Sequence, residues 1–270
     1  MQRFELAFGN RKEIVEMNRK RLFLFMLVGG ILLNMSALNL AAQDAAPEMT
    51  EVAAPGTAFA TGLDNPRGLK FGPDGNLYVA EGGTTVSTTS DDCEQVVEPV
   101  GPYTSGEPTA RISSIDPDGV RTTVVDGLPS SQTSMNLGGL VSGAADIAFI
   151  DETLFVLITG AGCSHGVPDS TNGILRVNAD GSTTQIADLS AFWKANPVMN
   201  PQPADFEPDG TPYSMIPVDG NLYVIEPNHG ELDRVTPDSD ISRILDISDS
   251  RGTLFRPQWP IKMATFTSAT

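Results

Sequence analysis

Basic residues, cysteine and histidine are scarce in this chain of 270 residues. It contains 17 Lys and Arg against 34 Asp and Glu, with two Cys and two His. A net charge of −17 repels nucleic-acid phosphates, so the composition predicts no nucleic-acid partner. Long apolar runs are also lacking. The continuous run over residues 22–33 is shorter than the roughly 20 residues that a membrane-spanning helix needs.

The first 42 residues are typical of a secretory signal peptide. A basic stretch at 18–21 precedes the apolar run, and Leu-Ala-Ala at 40–42 supplies small residues for cleavage. Met17 is the predicted true start, and a retained membrane anchor is the alternative. Cleavage would leave 11 basic and 31 acidic residues. We expect a secreted or periplasmic protein without membrane attachment, beginning with a flexible leader at 43–58.

Glycine and proline are abundant, with 26 and 20 residues, and the chain repeats itself. The hexapeptide DGNLYV occurs at 74–79 and 219–224, and DETLFV takes its place at 151–156. Each copy lies in a unit of four apolar, alternating segments separated by Asp turns such as Pro-Asp-Gly. Four strands per repeated unit indicate an all-β fold, a β-propeller with three blades over residues 59–250.

The units differ in the distance between their two Asp turns. It is 44 residues in the first unit (74 to 118), 29 in the second (151 to 180) and 19 in the third (219 to 238). Each excess falls between the second and third strands, which predicts insertions on one face of the propeller. We call this the loop face. A further insertion at 190–211 is predicted to be a short helix followed by a Pro-rich loop.

The two cysteines lie in neighbouring insertions. Cys93 is in the first and Cys163 in the second. In an exported protein this placement favours a disulfide between them. Two free thiols are the alternative.

The segment NPRGLKFGPDGNLYVAE resembles NHL-type propeller repeats. The stretch from AGAGCSHG to VDGNLYVIEPNHGELDRVTPD resembles, more narrowly, the exported propeller proteins named after scytonemin biosynthesis in cyanobacteria. That resemblance covers about residues 57–252, with both insertions and both cysteines. It implies a six-bladed propeller that is exported from the cytoplasm. We expect the full-length protein to be a monomer. The resemblance implies no particular reaction.

The last residues, 251–270, match no blade, and three blades cannot close a ring. Read in a shifted frame, their codons are compatible with GHIVPTAMAYKDGNFYVGN, which contains another second-strand motif. We therefore expect a frameshifted tail that truncates a longer propeller. The DNA sequence tests this expectation directly.

Polar residues end the second strands at matching positions. Glu81 and Glu226 are the last residues of theirs, and His165, Asn228 and His229 follow second strands. We expect this set to gather at the loop face. His165 and His229 are the candidates for acid–base catalysis. Glu81, Glu226, Asn228 and His229 are the candidates for ligand binding, and the two glutamates for a Ca²⁺ or Mg²⁺ cofactor. The alternative is that these residues cap strands and bind loop amides.

Three further motifs are interpreted structurally. Gly162-Cys163-Ser164-His165-Gly166 fits G-x-S-x-G but lacks the strand-to-helix context of a nucleophile elbow. The segment 116–119 resembles the start of a calcium loop and is predicted to be a hairpin turn. Phe192 and Trp193 are predicted to anchor the short helix to the core.

The favoured function is therefore an exported propeller that binds a small molecule or a partner protein at its loop face. The alternative is a metal-assisted enzyme resembling the lactonases and streptogramin lyases. Residues 227–235 are similar to a repeat of the lyases, whereas residues 65–68 lack the early Glu of the lactonases. A third possibility is a non-functional remnant that lacks half of any central site.

Overall fold

The computed structural model describes residues 58–84, 95–96, 98–201 and 207–248. The predicted signal peptide, most of the leader, Cys93 and the tail lie outside these residues, so those expectations remain predictions. The strands in chain order are β1 Pro66–Phe71, β2 Leu77–Glu81, β3 Thr104–Ser105, β4 Ala110–Ile115, β5 Arg121–Leu128, β6 Ser131–Gln132, β7 Val141–Ser142, β8 Ala144–Ile150, β9 Thr153–Ile158, β10 Gly173–Val177, β11 Thr183–Asp188, β12 Ser214–Val218, β13 Asn221–Glu226, β14 Glu231–Val235 and β15 Ile241–Asp246. No helix in the described part of the chain is long and apolar enough to cross a membrane.

Twelve of these strands form three four-stranded sheets. Their orders are β1-β2-β4-β5, β8-β9-β10-β11 and β12-β13-β14-β15, and every neighbouring pair is antiparallel. These sheets are blades 1, 2 and 3, and the protein is an all-β propeller. The prediction of three four-stranded blades is confirmed.

The turns within the blades adopt the conformations that their residues favour. Gly75 and Gly119 follow Pro-Asp and have φ of 83° and 82°, a region that glycine reaches without steric cost. Blade 2 and blade 3 place Asp151 and Asp219 in the left-handed region instead, with φ of 52° and 48°. The Asp turns therefore reverse the chain in two chemically different ways, with either a glycine or the aspartate itself in the left-handed region.

A β-bulge recurs at the equivalent position of each blade. The register between the third and fourth strands shifts after Ile112, Ile174 and Leu232. Each of these residues lies one position after the partner of the last second-strand residue. Because a bulge bends and twists its strand, this repeat shows that the blades share backbone geometry as well as sequence.

The blades pack face to face. Ala80 and Ile112 of blade 1 lie in one buried cluster with Ile147 and Val156 of blade 2. The opposite face of blade 2 packs on blade 3 in a second cluster. Its members are Ala145, Ala148, Phe155, Leu157, Ile174, Ile186, Ala187, Leu189, Trp193, Met215, Leu222, Val224 and Val235. Blade 2 is thus covered on both sides, as a propeller requires.

Asp146 joins the first strands of all three blades. Its carboxylate accepts a hydrogen bond from the Met215 backbone N–H of blade 3 at 2.9 Å and lies 3.5 Å from Lys70 Nζ of blade 1. Gly68 leaves the space beside it, because a Cβ atom at Gly68 would lie 2.3 Å from Asp146 Oδ1. The first strands therefore stand side by side, with a buried carboxylate between them.

The insertions meet at one end of the blades. The short strands β3, β6 and β7 form a small sheet that joins the first insertion to the connection between blades 1 and 2. Val96 N–H donates to the Ser164 carbonyl at 3.2 Å, which places the first insertion against the second. Cys93 lies outside the described residues, so the disulfide between Cys93 and Cys163 stays a prediction.

The third insertion contains the predicted helix, α1, at Leu189–Ala195. Asp188 caps its N-terminus by accepting a hydrogen bond from Ala191 N–H at 2.8 Å. The helix ends at Asn196, just before Pro197, because a residue preceding proline disfavours the α conformation.

The sheet faces turned away from blade 2 expose apolar side chains. On blade 1, Leu69 and Phe71 are 56% and 75% exposed. On blade 3, Ile216 and Ile225 are 53% and 42% exposed. On blade 3, the strand neighbours Met215 and Val224 on the opposite face are buried. Both outer faces resemble a blade interface that has no neighbouring blade against it.

We expect residues 43–270 in isolation to self-associate through these outer faces. Light scattering should show less association for the double variant Ile216→Glu/Ile225→Glu, because charges on the sheet face oppose its burial. Met135→Glu is the control, since Met135 is 78% exposed but lies in the loop between blades 1 and 2. A monodisperse, cooperatively melting wild-type sample would contradict this expectation.

Candidate functional site

Three buried acids line one face of blade 3. Glu226 ends β13 and is the register partner of Glu231, the first residue of β14, and Asp233 follows on the same face of that strand. All three are at most 2% exposed. They face blade 2, the side on which Leu222 and Val224 enter the core. The strand period of two therefore places three carboxylates against the apolar blade interface.

His229 lies in the turn between these two strands and contacts the acids. Its Nε2 donates to the Glu207 carbonyl at 2.8 Å, because a carbonyl can only accept. Its Nδ1 lies 3.2 Å from Glu231 Oε1 and 4.0 Å from Glu226 Oε2. The Glu226 carboxyl also accepts hydrogen bonds from the backbone N–H groups of His229 and Thr211, the latter at 2.7 Å.

Burial makes this group hold protons near neutral pH. It raises the pKa of Glu226 to about 7, with the charge of Glu207 adding to the effect. Burial likewise raises the pKa of Asp233 to about 6. Burial lowers the pKa of His229, but the hydrogen bond to Glu231 and the charge of Glu226 outweigh it, so the net pKa is raised.

His165 forms a second buried histidine–carboxylate pair nearby. Its Nδ1 donates to the Ala161 carbonyl at 2.8 Å, and its Nε2 lies 3.0 Å from Glu207 Oε2. A proton must also lie in the second contact, carried by the ring or by the carboxyl group. The Tyr103 ring packs against the imidazole at 4.6 Å, and its hydroxyl lies 3.4 Å from Glu207 Oε1.

Glu207 is the residue that connects the two histidines. Its side chain contacts His165, and its backbone carbonyl contacts His229. Sequence reasoning missed it, because it lies in the insertion predicted to be a simple Pro-rich loop. The available signal was Glu207-Pro208-Asp209-Gly210, a further Pro-Asp-Gly sequence. Here it forms a tight turn, with Gly210 N–H donating to the Glu207 carbonyl at 2.8 Å.

Asp209 and Asn172 hold this turn against blade 2. Asp209 accepts from Lys194 Nζ, and from the Ser164 N–H and hydroxyl at 2.9 and 2.6 Å. Burial raises the pKa of Asp209, but these hydrogen bonds outweigh it and keep the pKa below its usual value. The Asn172 amide donates to the carbonyls of Asp209 and Gly210 at 2.9 and 2.6 Å. The loops around the site are thus fixed by buried hydrogen bonds.

A cavity of about 200 Å³ lies between helix α1, the segment that follows it, the Pro208 turn and the β13–β14 turn of blade 3. Its lining residues are Trp193, Lys194, Pro197, Val198, Pro208 and His229. Trp193 is 2% exposed, and its indole N–H donates to Asp233 Oδ2 at 2.8 Å. Trp193 anchors the helix as predicted, and it also forms a wall of the cavity.

The structure does not join Glu81 to this cluster. In blade 1 the register partner of Glu81 is Arg111, which binds the carboxylate through two nitrogens at 3.0 and 2.8 Å. Ser113 also donates to it. Burial raises the pKa of Glu81, but the Arg111 hydrogen bonds outweigh it and keep the pKa low. Blade 1 therefore carries a neutralised ion pair where blade 3 carries two acids.

The remaining sequence candidates have clear positions. Asn228 is half-buried in the β13–β14 turn beside His229. Residues 163–165 form a 3₁₀-helix between Gly162 and Gly166, which supports treating G-x-S-x-G as a chance match. Within the described ranges, no three His, Cys, Asp or Glu side chains converge as metal ligands would. A Ca²⁺ or Mg²⁺ cofactor at Glu81 and Glu226 remains a prediction.

No protein-family model and no curated protein matches the chain. Propeller-type proteins are found among solved structures. A catalytically inactive virginiamycin B lyase from Staphylococcus aureus, with quinupristin, is 18% identical with a TM-score of 0.34, over 66% of this chain and 40% of that one. A luciferin-regenerating enzyme (14%, 0.37) and a nidogen/laminin complex (15%, 0.36) each match over 67% of this chain and 47% of theirs. The chain thus spans less than half the length of these three, which include both enzymes and a binding protein.

We expect the stability contributed by the blade 3 cluster to fall by about 1–3 kcal/mol between pH 5 and pH 8. The pKa values of Glu226, Asp233 and His229 are all raised in the native state. The native state therefore binds more protons than the unfolded state. Its advantage is complete below the unfolded pKa values and is lost as pH rises through the native ones.

Urea unfolding at several pH values measures this effect, and Glu226→Gln should flatten the profile. Glu81→Gln is the matched control from blade 1. Since the pKa of Glu81 is lowered, its contribution is lost only as pH falls, and its variant should keep the decrease toward pH 8. An unchanged profile in Glu226→Gln would show that this residue does not carry the effect.

Proposed function

We propose that this protein is an exported propeller that binds a small molecule at its loop face, in the cavity between helix α1 and blade 3. One observation carries the proposal. A cavity with apolar walls is lined by Trp193 and His229, and buried hydrogen bonds to Asp233 and to the Glu207 carbonyl fix these two rings in position. A preformed apolar cavity with a few polar groups is the usual form of a small-molecule site.

The contacts favour binding over the metal-assisted enzyme. Both ring nitrogens of His229 already face protein acceptors, and so do both nitrogens of His165. A general base needs a lone pair directed at the substrate.

Filling the cavity tests the proposal. Val198 is buried in the lining, so Val198→Phe should abolish binding of small ring compounds detected by ligand-observed NMR with the full chain. Val120→Phe is the control, because Val120 is 57% exposed in a hairpin turn of blade 1. If both variants bind the same compounds as the wild type, the cavity is not the site.

Export rests on the sequence of residues 1–42 and requires its own test. We expect the protein secreted from a bacterial host to begin at Gln43, since cleavage is predicted after Ala42. Mass spectrometry of the exported protein measures this directly. A product that keeps residues 22–33 would support the retained anchor instead.

A further inference from the structure

We propose that residues 58–63 are the outermost strand of a further blade, whose three inner strands are supplied by a separate partner polypeptide. This partner packs on the outer face of blade 1, so the inference does not depend on the cavity or on the proposed function. Three observations carry it: the position of residues 58–63, the lack of a sheet around them, and the side chains that the outer face presents.

Residues 58–63 repeat the local pattern of a fourth strand. Phe59 lies three residues before Gly62, as Val124 of β5 lies three residues before Gly127, and a leucine follows each glycine. Gly62 and Gly127 both have positive φ, at 78° and 65°, a region that favours glycine. The segment therefore resembles β5, the fourth strand of blade 1, although it precedes the first strand of that blade.

The segment also occupies the place of a fourth strand. The Val124 carbonyl of blade 1 faces Gly181 of blade 2, 4.0 Å from where a Cβ atom on that glycine would lie. The Phe59 carbonyl faces Gly119, the glycine of the equivalent turn in blade 1, and lies 2.1 Å from the corresponding point. Residues 58–63 thus lie on blade 1 as β5 lies on blade 2.

Polar contacts with blade 1 fix the end of the segment. Arg111 Nη2 donates to the Gly62 carbonyl at 2.7 Å and lies 2.9 Å from the Asp64 carboxylate. The Asp64 backbone N–H donates to Glu81. The ion pair between Glu81 and Arg111 therefore also anchors the chain that enters blade 1.

The segment has no sheet of its own. Within the part of the chain that the structure describes, residues 58–63 pair with no strand and form no backbone–backbone hydrogen bond. The equivalent strand β5 pairs with β4. Unpaired N–H and C=O groups of an extended segment are a template on which another strand can add. A strand that pairs with residues 58–63 therefore takes the role that β4 has for β5.

The outer face of blade 1 presents the residues that a preceding blade contacts. Phe71 and Phe149 are equivalent, because each is the register partner of the leucine in the repeated hexapeptide. Phe149 of blade 2 packs edge-on against Tyr78 of blade 1, with ring centroids 5.0 Å apart. Phe71 is 75% exposed. A blade that covers Phe71 in the same way carries an aromatic residue at the position of Tyr78.

The partner is thus a three-stranded antiparallel sheet with an open edge on its third strand. Leu69 is equivalent to Ile147, which packs in one buried cluster with Ala80 of blade 1. The second strand of the partner therefore needs an aromatic residue and, two positions later, an aliphatic one. Tyr223 and Ile225 of β13 have this pattern, so the first three strands of blade 3 provide a suitable probe.

A peptide of residues 212–236 tests the inference, because it contains β12, β13 and β14 without β15. We expect this peptide to slow hydrogen exchange at residues 58–63 of the full chain by about tenfold, measured by mass spectrometry. The same peptide with Tyr223→Ser should protect residues 58–63 several-fold less, since it has no ring to meet Phe71.

Gly119→Ala in the full chain should abolish this protection, because the added methyl group displaces the Phe59 carbonyl. Gly181→Ala is the matched control: the two glycines have φ of 82° and 83° and the same backbone strain, but the neighbour of Gly181 lies 4.0 Å away. Should Gly119→Ala not fold, Phe71→Glu should also prevent protection.

Equal protection in Gly119→Ala and Gly181→Ala would overturn the inference, because the segment would then pair without its place on blade 1. So would the absence of protection at every peptide concentration. Protection that rises with protein concentration alone, without the peptide, would assign the outer face to a second copy and overturn the separate partner.

Discussion

Replacing Arg243 by Gln is expected to lower the free energy of unfolding by about 3–5 kcal/mol at pH 8, and by less at pH 5. Arg243 Nε binds Glu231, whose side chain is fully buried. Without it, the buried Glu231 carboxylate keeps its contact with His229 but loses its permanent cation, and it lies beside Glu226 and Asp233. Those neighbours have pKa values of about 7 and about 6, so both gain negative charge between the two pH values and increase the repulsion.

The Arg243→Gln substitution should also disturb the cavity. The Arg243 guanidinium donates to the backbone carbonyls of Asn196 and of Pro197, the latter at 3.3 Å, and so holds the chain that follows helix α1. Chemical unfolding at pH 5 and pH 8 measures the stability change. Arg176→Gln is the control, because Arg176 is exposed on blade 2 and lies 3.4 Å from Asn178 Oδ1. A loss below about 1 kcal/mol at both pH values would mean that solvent already neutralises Glu231.

Gly68→Ala is expected to destabilise the protein by about 3 kcal/mol, near the upper end of overpacking costs. The added methyl group would lie 2.3 Å from Asp146 Oδ1, 2.7 Å from Asp146 Cα and 2.9 Å from the Ala145 carbonyl. Two of these atoms are backbone, so no side-chain rotation relieves the overlap. The first strands of blades 1 and 2 must separate, which weakens the salt bridge from Lys70 to Asp146.

The matched control is Gly82→Ala, also in blade 1. There a methyl group would meet its nearest atoms at 3.4 and 3.5 Å, which is ordinary contact. Thermal unfolding should show a large decrease in the midpoint for Gly68→Ala and a small change for Gly82→Ala. Equal midpoints would show that the first strands can move apart without cost, contrary to the packing described around Asp146.

The blades could be predicted from the sequence because the patterns that specify their strands and turns each extend over only a few residues. Alternating apolar residues and Pro-Asp-Gly turns specify hairpins within a few residues, and the repeated hexapeptide aligns the units. The gathering of His229 with Glu226 followed from the same alignment. Such reasoning assumes that equivalent positions have equivalent partners.

That assumption is wrong for Glu81, whose partner differs from that of Glu226. It also gives no information about Glu207, which lies outside the repeated units. Arg111 is the register partner of Glu81 in blade 1, and Glu231 is the register partner of Glu226 in blade 3. This single difference in charge gives an ion pair in blade 1 and two neighbouring acids in blade 3. Glu207 reaches the histidines from an insertion whose path depends on Asn172 and Asp209, distant in sequence. Loop positions set by long-range hydrogen bonds leave no periodic pattern to detect.

Because the strands of blades 1 and 3 share their geometry, side chains of blade 3 can be introduced at the equivalent positions of blade 1. Arg111 and Ser113 occupy the positions that Glu231 and Asp233 hold in blade 3, on the same bulged backbone. A protein built from repeated modules can keep a stabilising ion pair in one module while another module holds titratable acids at the same positions. Exchanging these few side chains between modules is thus a route to engineering a second receptor pocket within one polypeptide.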